Sequence, residues 1–248
     1  MPPSRLELSI IIPAFNEERR LAKSLELIRT YIASRHVRAE VLVVDDGSTD
    51  NTAKVTQHSQ ARFPELRLIS NGRNRGKGFS VRHGMLEAKG EIALFTDADL
   101  SAPIEEADKL LGALRDGGFD GAIGSRAINR ALIDVHQSAG REFAGQVYNA
   151  IVRHIAGLQF QDTQCGFKAF RLGKMRAIFE QQRTNGFGFD PEILFLAQQR
   201  GLRIAEIPIH WAHDPATKVN VFLDSLRMLR DLLAIRWNAL MGRYSSMS

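Results

Sequence analysis

Short apolar runs that alternate with helical segments constrain the fold of this chain more than any other feature. The runs are rich in β-branched or aliphatic residues and end in polar or turn residues; they are Leu8 to Pro13, Ala39 to Ser48, Leu66 to Ser70 and Glu91 to Thr96. Such runs are typical of buried parallel strands. Their alternation with helices predicts an α/β fold, with a Rossmann-like, mostly parallel sheet and helices on both of its faces.

The segment between the first two runs predicts the first helix. Leu21, Leu25 and Ile28 recur at helical spacing. We expect Glu17 and Glu18 to lie in the first turn of this helix, where the helix dipole favours acidic residues.

Length and composition exclude several classes of protein. A chain of 248 residues can bury a sizeable core without a metal or disulfide staple. Its single cysteine, Cys165, cannot form an intramolecular disulfide, and we expect it to be a packed small residue. The first residues lack the apolar region of a signal peptide, and no window has the roughly 18 apolar residues of a membrane-spanning helix. We therefore expect a cytoplasmic protein.

The chain shows no low-complexity linker and no internal repeat. We therefore predict a single domain over residues 1–248. Within it, we expect a first half over residues 1–125, a second half over residues 126–220, and an amphipathic C-terminal helix over residues 221–243. The net charge of +5 permits nucleic acid, anionic lipid or phosphorylated substrates as partners.

Polar segments follow the predicted strands, and ligands of such sheets bind at the carboxyl ends of the strands. These segments are Ala14 to Glu17, Asp45 to Ser48, Asn71 to Gly78 and Asp97 to Asp99. Each has a purely structural alternative, namely a helix cap for the two acidic segments and a solvated basic loop for Asn74 to Gly78. Two carboxylates spaced as Asp97 and Asp99 can also hold a hard divalent cation.

The segments in this order resemble the family-two glycosyltransferases. The matching motifs are Pro13-Ala14-Phe15-Asn16-Glu17, Val44-Asp45-Asp46-Gly47-Ser48-Thr49-Asp50, Asn74-Arg75-Gly76-Lys77-Gly78 and Asp97-Ala98-Asp99. The second half is similar to the dolichyl-phosphate β-glucosyltransferases, with the dolichyl-phosphate mannosyltransferases a close second. The residues that carry this likeness are Gly124-Ser125-Arg126, Asp162 to Lys168, Phe189-Asp190-Pro191-Glu192, Ala205 to Pro208 and Thr217-Lys218-Val219.

The sequence departs from those relatives in three places. The eukaryotic glucosyltransferases carry an N-terminal membrane anchor, which this sequence lacks. Their G-S-K motif stands here as Ala216-Thr217-Lys218, and Ser101 stands where mannosyl relatives often have Gln.

The resemblance implies an A-type glycosyltransferase fold, with residues 1–125 as the nucleotide-sugar-binding half and residues 126–220 as the acceptor half. It also implies a role for each matched residue. Asp45 would bind the base, Glu17 would help to seat the nucleoside, and Mg²⁺ or Mn²⁺ would bridge the donor diphosphate at Asp97 and Asp99. The full set of residues implied to bind the nucleotide sugar is Pro13, Ala14, Glu17, Asp45, Asp46, Lys77 and Asp97.

The implied reaction is the inverting transfer of glucose from UDP-glucose to a polyprenyl or dolichyl phosphate. A phosphate acceptor is largely ionised at neutral pH and needs no general base. Arg126, Arg141 and Lys218 would then be the catalytic cations that hold it. The alternatives are mannosyl transfer from GDP-mannose, a hydroxyl acceptor with Asp190 or Glu192 as base, and a catalytically silent nucleotide-sugar-binding protein.

The C-terminal helix carries an apolar stripe of Phe222, Leu226, Leu229, Leu233, Trp237 and Leu240. Core packing explains such a stripe. Met228, Leu232 and Ile235 widen it, and Arg227, Arg230, Arg236 and Arg243 accompany it. This breadth fits either a homodimer or peripheral contact with the inner face of the cytoplasmic membrane. The motifs predict no nucleic-acid partner.

Overall fold

A computed structural model describes residues 6–135, 149–212 and 221–244. The strands of the main sheet are β1 (Leu8–Ala14), β2 (Ala39–Asp45), β3 (Leu66–Ser70), β4 (Ile92–Thr96), β5 (Gly121–Ser125), β7 (Phe167–Arg171) and β8 (Ile204–Pro208). They lie in the order β3-β2-β1-β4-β7-β5-β8. All neighbouring pairs are parallel except those of β7, which runs antiparallel to β4 and β5. A small second sheet pairs β6 (Ile133–Val135) with β9 (Trp211–Ala212).

The helices flank both faces of this sheet. They are α1 (Leu21–Arg35), α2 (Thr52–Gln60), α3 (Lys77–Glu87), α4 (Ala107–Arg115), α5 (149–156), α6 (Leu172–Gln181), α7 (Phe189–Gln199) and α8 (Val221–Leu240). Alternation of side chains along β1 separates two apolar cores. Ile10 and Ile12 pack with α1 and α4, whereas Ile11 packs with α3, α6 and α7. The predicted mostly parallel sheet is therefore confirmed.

The start of α1 corrects one prediction. The helix begins at Leu21, so Glu17 and Glu18 precede its first turn. Their main-chain N–H groups instead bind the start of α2 and the loop before it, where Glu17 donates to Thr52 Oγ1 at 2.7 Å and Glu18 donates to Asp50 Oδ2 at 3.1 Å. These long-range contacts hold the two residues in a loop at the edge of the sheet.

The orientation of α8 divides its apolar residues between the core and the surface. Leu232 and Ile235 are buried, each 1% exposed, in the core beneath α7. Leu233, Trp237 and Leu240 of the predicted stripe instead face outward, with exposures of 56%, 57% and 76%. Leu232 and Ile235 therefore anchor the helix, and Leu233, Trp237 and Leu240 lie on the surface. No helix in the described part of the chain has the length and apolar character needed to cross a membrane.

Candidate active site

The loops after β1 and β2 are locked together at the carboxyl edge of the sheet. Asn16 adopts a left-handed backbone conformation with φ of 57°, which asparagine tolerates better than most residues. Its Oδ1 accepts the Thr49 N–H at 2.8 Å, and its own N–H donates to Ser48 Oγ at 2.9 Å. The two motifs that carry the family resemblance are thus one hydrogen-bonded unit.

This unit surrounds the side chains predicted to bind the nucleoside. Asp45 ends β2, is only 6% exposed, and accepts the Ser48 N–H at 3.1 Å on one carboxylate oxygen. Glu17 lies on the loop after β1 and pairs with Arg20 at 2.6 Å. Pro13 and Ala14 end β1 against Val44 and Asp45. The structure therefore brings these predicted residues to one edge of the sheet.

Asp46 has a different environment from Asp45. Its carboxylate accepts the Asn71 side-chain amide at 2.7 Å and the main-chain N–H groups of Arg75 and Gly76 at 3.0 and 2.8 Å. Hydrogen bonds of this kind fix the loop that leads into α3. The structure thus gives Asp46 a loop-organising role beside its predicted place in donor binding.

The same loop presents the N-terminus of α3 to the site. Gly76 precedes the helix with φ of 99°, and a Cβ atom there would overlap the carbonyl oxygen of Asn185. Only glycine fits both constraints. Lys77, the first residue of the helix, places its Nζ 2.6 Å from Asp97 Oδ1. A helix N-terminus with a lysine beside it is suited to bind a diphosphate.

Asp97 and Asp99 follow β4 and lie close enough to interact. Burial and the charge of Asp97 raise the pKa of Asp99 above its usual value. Leu100 adopts φ of 49°, a strained conformation for leucine, and its N–H closes a turn on the Asp97 carbonyl at 3.1 Å. The backbone therefore holds two mutually repelling carboxylates together, an arrangement that a cation relieves.

These two carboxylates fit a hard divalent cation. Oxygen donors are the ligands that Mg²⁺ and Mn²⁺ prefer, and such ions complete their coordination with phosphate oxygens and water. Within the described residues no group of three or more histidine, cysteine or acidic side chains forms a closed site. Arg20 Nη1 lies 3.7 Å from Asp99 Oδ2. The donor set is therefore one that would share a cation with a bound diphosphate.

A buried lysine beneath this site was missed in the sequence. Lys168 is 0% exposed and its Nζ contacts both Asp190 Oδ1 and the Cys165 carbonyl at 2.5 Å. Burial raises the pKa of Asp190, although Lys168 and Lys77 oppose this. Burial alone would lower the pKa of Lys77, but Asp97 and Asp190 raise it. Positive and negative groups thus alternate behind the site. The sequence signal for the buried lysine is its position within the apolar run FKAF.

Arg126 has a partner that the sequence did not predict. Its guanidinium makes a bidentate pair with Asp162, at 2.6 and 2.8 Å, and its charge lies 5.3 Å from the centre of the Trp211 ring. Burial raises the pKa of Asp162, but Arg126 outweighs this, so the pKa is lowered. Arg126 is therefore already part of an ion pair, and any ligand it binds would meet it in that state. Arg141 and Lys218, the other predicted cations, lie outside the described residues.

The remaining candidates have structural roles. Glu192 is 0% exposed and accepts the Thr184 N–H at 2.7 Å, the Arg183 N–H at 3.1 Å and the Tyr244 hydroxyl at 2.5 Å. Cys165 is buried, and burial raises the pKa of its thiol to about 12. Neither group is placed to act as base or nucleophile at neutral pH.

Comparison with known proteins identifies the class to which this fold and site belong. Residues 9–179 match the family described as Glycosyl transferase family 2. The match spans more than half of the chain, and the chain belongs to this family. Solved structures of Mycobacterium tuberculosis glucosyl-3-phosphoglycerate synthase have the same A-type glycosyltransferase fold. One has a TM-score of 0.66 and 20% identity, over 94% of this chain and 81% of that one. Another, solved in complex with Mn²⁺, UDP and glucosyl-3-phosphoglycerate, has a TM-score of 0.67 and 19% identity.

Within the family, the chain is similar to dolichyl-phosphate β-glucosyltransferases. It is 33% identical to that of Saccharomyces cerevisiae, over 96% of this chain and 76% of the yeast protein. It is 36% identical to that of Drosophila melanogaster and 32% identical to that of Homo sapiens. In both of these comparisons the alignment covers 96% of this chain and 77% of the relative.

Proposed function

We propose that this protein transfers glucose from UDP-glucose to a polyprenyl phosphate such as dolichyl phosphate, with inversion at the anomeric carbon. The observation that carries the proposal is the similarity to dolichyl-phosphate β-glucosyltransferases over nearly the whole chain, at 33% identity and 96% coverage for the yeast protein. The similarity includes the predicted acceptor half as well as the donor half. We therefore prefer glucosyl transfer to mannosyl transfer.

The donor would bind along the carboxyl edge of β1, β2 and β4. Asp45 would accept the imide N–H of uracil, because one of its carboxylate oxygens already accepts Ser48 N–H and the other has capacity to spare. Lys77 and the N-terminus of α3 would face the diphosphate. Asp97 and Asp99 would hold Mg²⁺ or Mn²⁺, which supplies charge neutralisation for the leaving nucleotide when bound.

The hydroxyl-acceptor alternative requires a free carboxylate base, and the two candidates are both engaged. Asp190 is paired with buried Lys168 at 2.5 Å, and Glu192 is saturated by loop N–H groups and a tyrosine hydroxyl. A phosphate acceptor has a second pKa of about 6 and supplies its own anionic nucleophile. The arrangement therefore favours a phosphate acceptor, with Arg126, Arg141 and Lys218 as its proposed cationic neighbours.

Because the proposed acceptor carries a lipid tail, the transfer reaction would take place at a membrane surface. The outward face of α8 exposes Leu233, Trp237 and Leu240, and Arg230 lies on the same helix with 79% of its side chain exposed. Aromatic and basic residues together suit contact with anionic lipid headgroups. We place the protein peripherally on the inner face of the cytoplasmic membrane through this helix, and a homodimer across the same face is the competing arrangement.

A donor and acceptor panel tests the proposed reaction. We expect release of UDP from UDP-glucose with a short polyprenyl phosphate, no turnover with the matching polyprenyl alcohol, and little with GDP-mannose. Chelator should abolish turnover. Asp99→Asn should lower turnover by about 100-fold or more, because the lost charge stabilises the transition state by several kcal/mol. Asp116→Asn, an exposed residue after α4, is the matched control. Turnover with the alcohol, or full activity in Asp99→Asn, would overturn the proposal.

A further inference from the structure

A second cavity lies behind α3, away from the candidate active site. It has a volume of about 1000 Å³ and is lined by α3, α6, α7 and the end of α8. None of the residues proposed above to bind donor, cation or acceptor lines it. The comparisons give it no role.

The cavity is strongly basic. Its lining includes Arg82, Arg183, Arg200 and Arg243 against one acidic residue, Glu180. Among the described residues, none of the four arginines forms an ion pair. Arg82 and Arg183 donate instead to main-chain carbonyls, at 3.2 and 3.0 Å, and these neutral partners leave the positive charges uncompensated. A cavity of this kind attracts an anion.

Buried polar atoms lie beneath the lining of the cavity. Arg82 Nε is buried without a hydrogen-bond partner among the described residues, and so are Gln181 Oε1 and Gln182 Oε1. Gln182 is only 2% exposed, and its amide nitrogen is held by the carbonyls of Gly78 and Thr184 at 2.8 and 2.9 Å. Buried polar groups are rarely left unpaired. These atoms are covered by the protein, so the choice of ligand rests on the charges of the arginines.

Exposed apolar residues adjoin the cavity. Ala239 and Gly242 line it, and the two residues between them, Leu240 and Met241, are 76% and 55% exposed. Trp237 is 57% exposed one turn earlier. A free phosphate gains nothing from contact with exposed apolar side chains, whereas lipid acyl chains pack against them.

We propose that this cavity binds the phosphate-bearing headgroup of an anionic lipid while the end of α8 contacts the acyl region. The site would fix the protein's orientation on a membrane, independently of the lipid that accepts the sugar. Phosphatidylglycerol has the required chemistry, since its phosphate matches the arginines.

Vesicle sedimentation tests the proposal without donor or polyprenyl phosphate, so its outcome is separate from that of the transfer reaction. The vesicles are phosphatidylcholine with or without phosphatidylglycerol. The Arg200→Gln, Arg243→Gln double variant should bind the anionic vesicles about 30-fold more weakly, from two lost basic contacts. The Lys54→Gln, Arg62→Gln double variant has the same net charge, changes two exposed residues outside the cavity, and should bind nearly as wild type does. Equal losses in both double variants would overturn the proposal.

A third variant separates the cavity from the surface around it. Ala177 lines the cavity, and Ala177→Phe would fill part of it without altering any charge. Binding to anionic vesicles should fall at least several-fold while the melting temperature stays near that of wild type. Wild-type binding by this variant would refute a headgroup site inside the cavity.

Thermal unfolding with soluble phosphates distinguishes a lipid headgroup from a free phosphate as the ligand. Inorganic phosphate and glycerol phosphate are added to wild type and to the Arg200→Gln, Arg243→Gln variant, and thermal unfolding is followed. Stabilisation of wild type alone, with vesicle binding equal in all variants, would mean that the ligand is a soluble phosphate and would overturn the lipid assignment.

Discussion

Replacing Gly166 with alanine would create a steric clash with Asp97 at the proposed cation site. A Cβ atom at this position would overlap Oδ2 of Asp97 and would lie 2.5 Å from its Cγ and 2.8 Å from its Oδ1. Ordinary contacts between such atoms are about 3.5 Å. The Asp97 carboxylate must therefore retreat by at least about 1 Å. It can do so, because 36% of its side chain is exposed.

The displacement should damage the site and leave the fold nearly unchanged. A movement of about 1 Å in a positioned group costs roughly 100-fold in rate. The strain itself should be of order 1 kcal/mol, which lowers the melting temperature of a chain of this size by only about 2–4 °C. The 2.6 Å contact between Lys77 and Asp97 would also lengthen.

The assay is turnover of UDP-glucose with a short polyprenyl phosphate across a range of Mn²⁺ concentrations. The variant should need more Mn²⁺ and have a lower kcat. Gly173→Ala is the matched control, because no atom lies within 4 Å of a Cβ built there, and alanine within α6 should be neutral or slightly stabilising. Wild-type kcat and Mn²⁺ dependence in Gly166→Ala would refute the placement of Asp97 at the reacting diphosphate.

Three further outcomes follow from the same contacts. Asp45→Ala should raise the KM for UDP-glucose with little change in kcat, since a base contact acts equally in ground and transition states; steady-state kinetics checks this. Lys168→Met should lower the free energy of unfolding by about 3–5 kcal/mol in urea titrations, because it strands the buried Asp190 carboxylate, and adding Asp190→Leu should restore much of it. Burial of Asp120 is outweighed by hydrogen bonds from Lys174 and main-chain N–H, so its pKa is lowered. The ionised Asp120 carboxylate therefore stabilises the fold fully above about pH 4, and this stabilisation is lost as the pH falls below that value. The free energy of unfolding of Asp120→Asn should accordingly vary less with pH below about pH 4 than that of wild type.

The central strands were predictable because their signal is local. Buried parallel strands are continuous apolar runs, and β1 to β4 each end in residues that mark the ligand edge. The sequence alone therefore predicts that the motifs around Asp45, Lys77 and Asp97 meet at that edge of the sheet.

The ion pairs behind the site were not predictable, because each depends on tertiary contact. Arg126 and Asp162 are separated by 36 residues, and Lys168 and Asp190 by 22. Composition and spacing do not indicate which charges a fold will pair. The start of α1 was misplaced for a similar reason, since a loop after β2 competes for the residues before the helix.

The outward face of α8 illustrates a different limit. The helix is apolar on more than one side, and periodicity alone does not choose which side meets the core. Contact with α7 buries Leu232 and Ile235 and thereby sets the rotation of the helix.

The order of strands in the sheet also governs how the chain is assembled during synthesis. β7 is made after β5 but lies between β4 and β5, which do not pair with each other. A nascent chain that has completed Ser125 therefore has an open edge on β4 and no partner for β5. Unpaired edges of this kind invite wrong pairing. Chaperone protection should be needed until Phe167–Arg171 has left the ribosome and joined the two parts of the sheet.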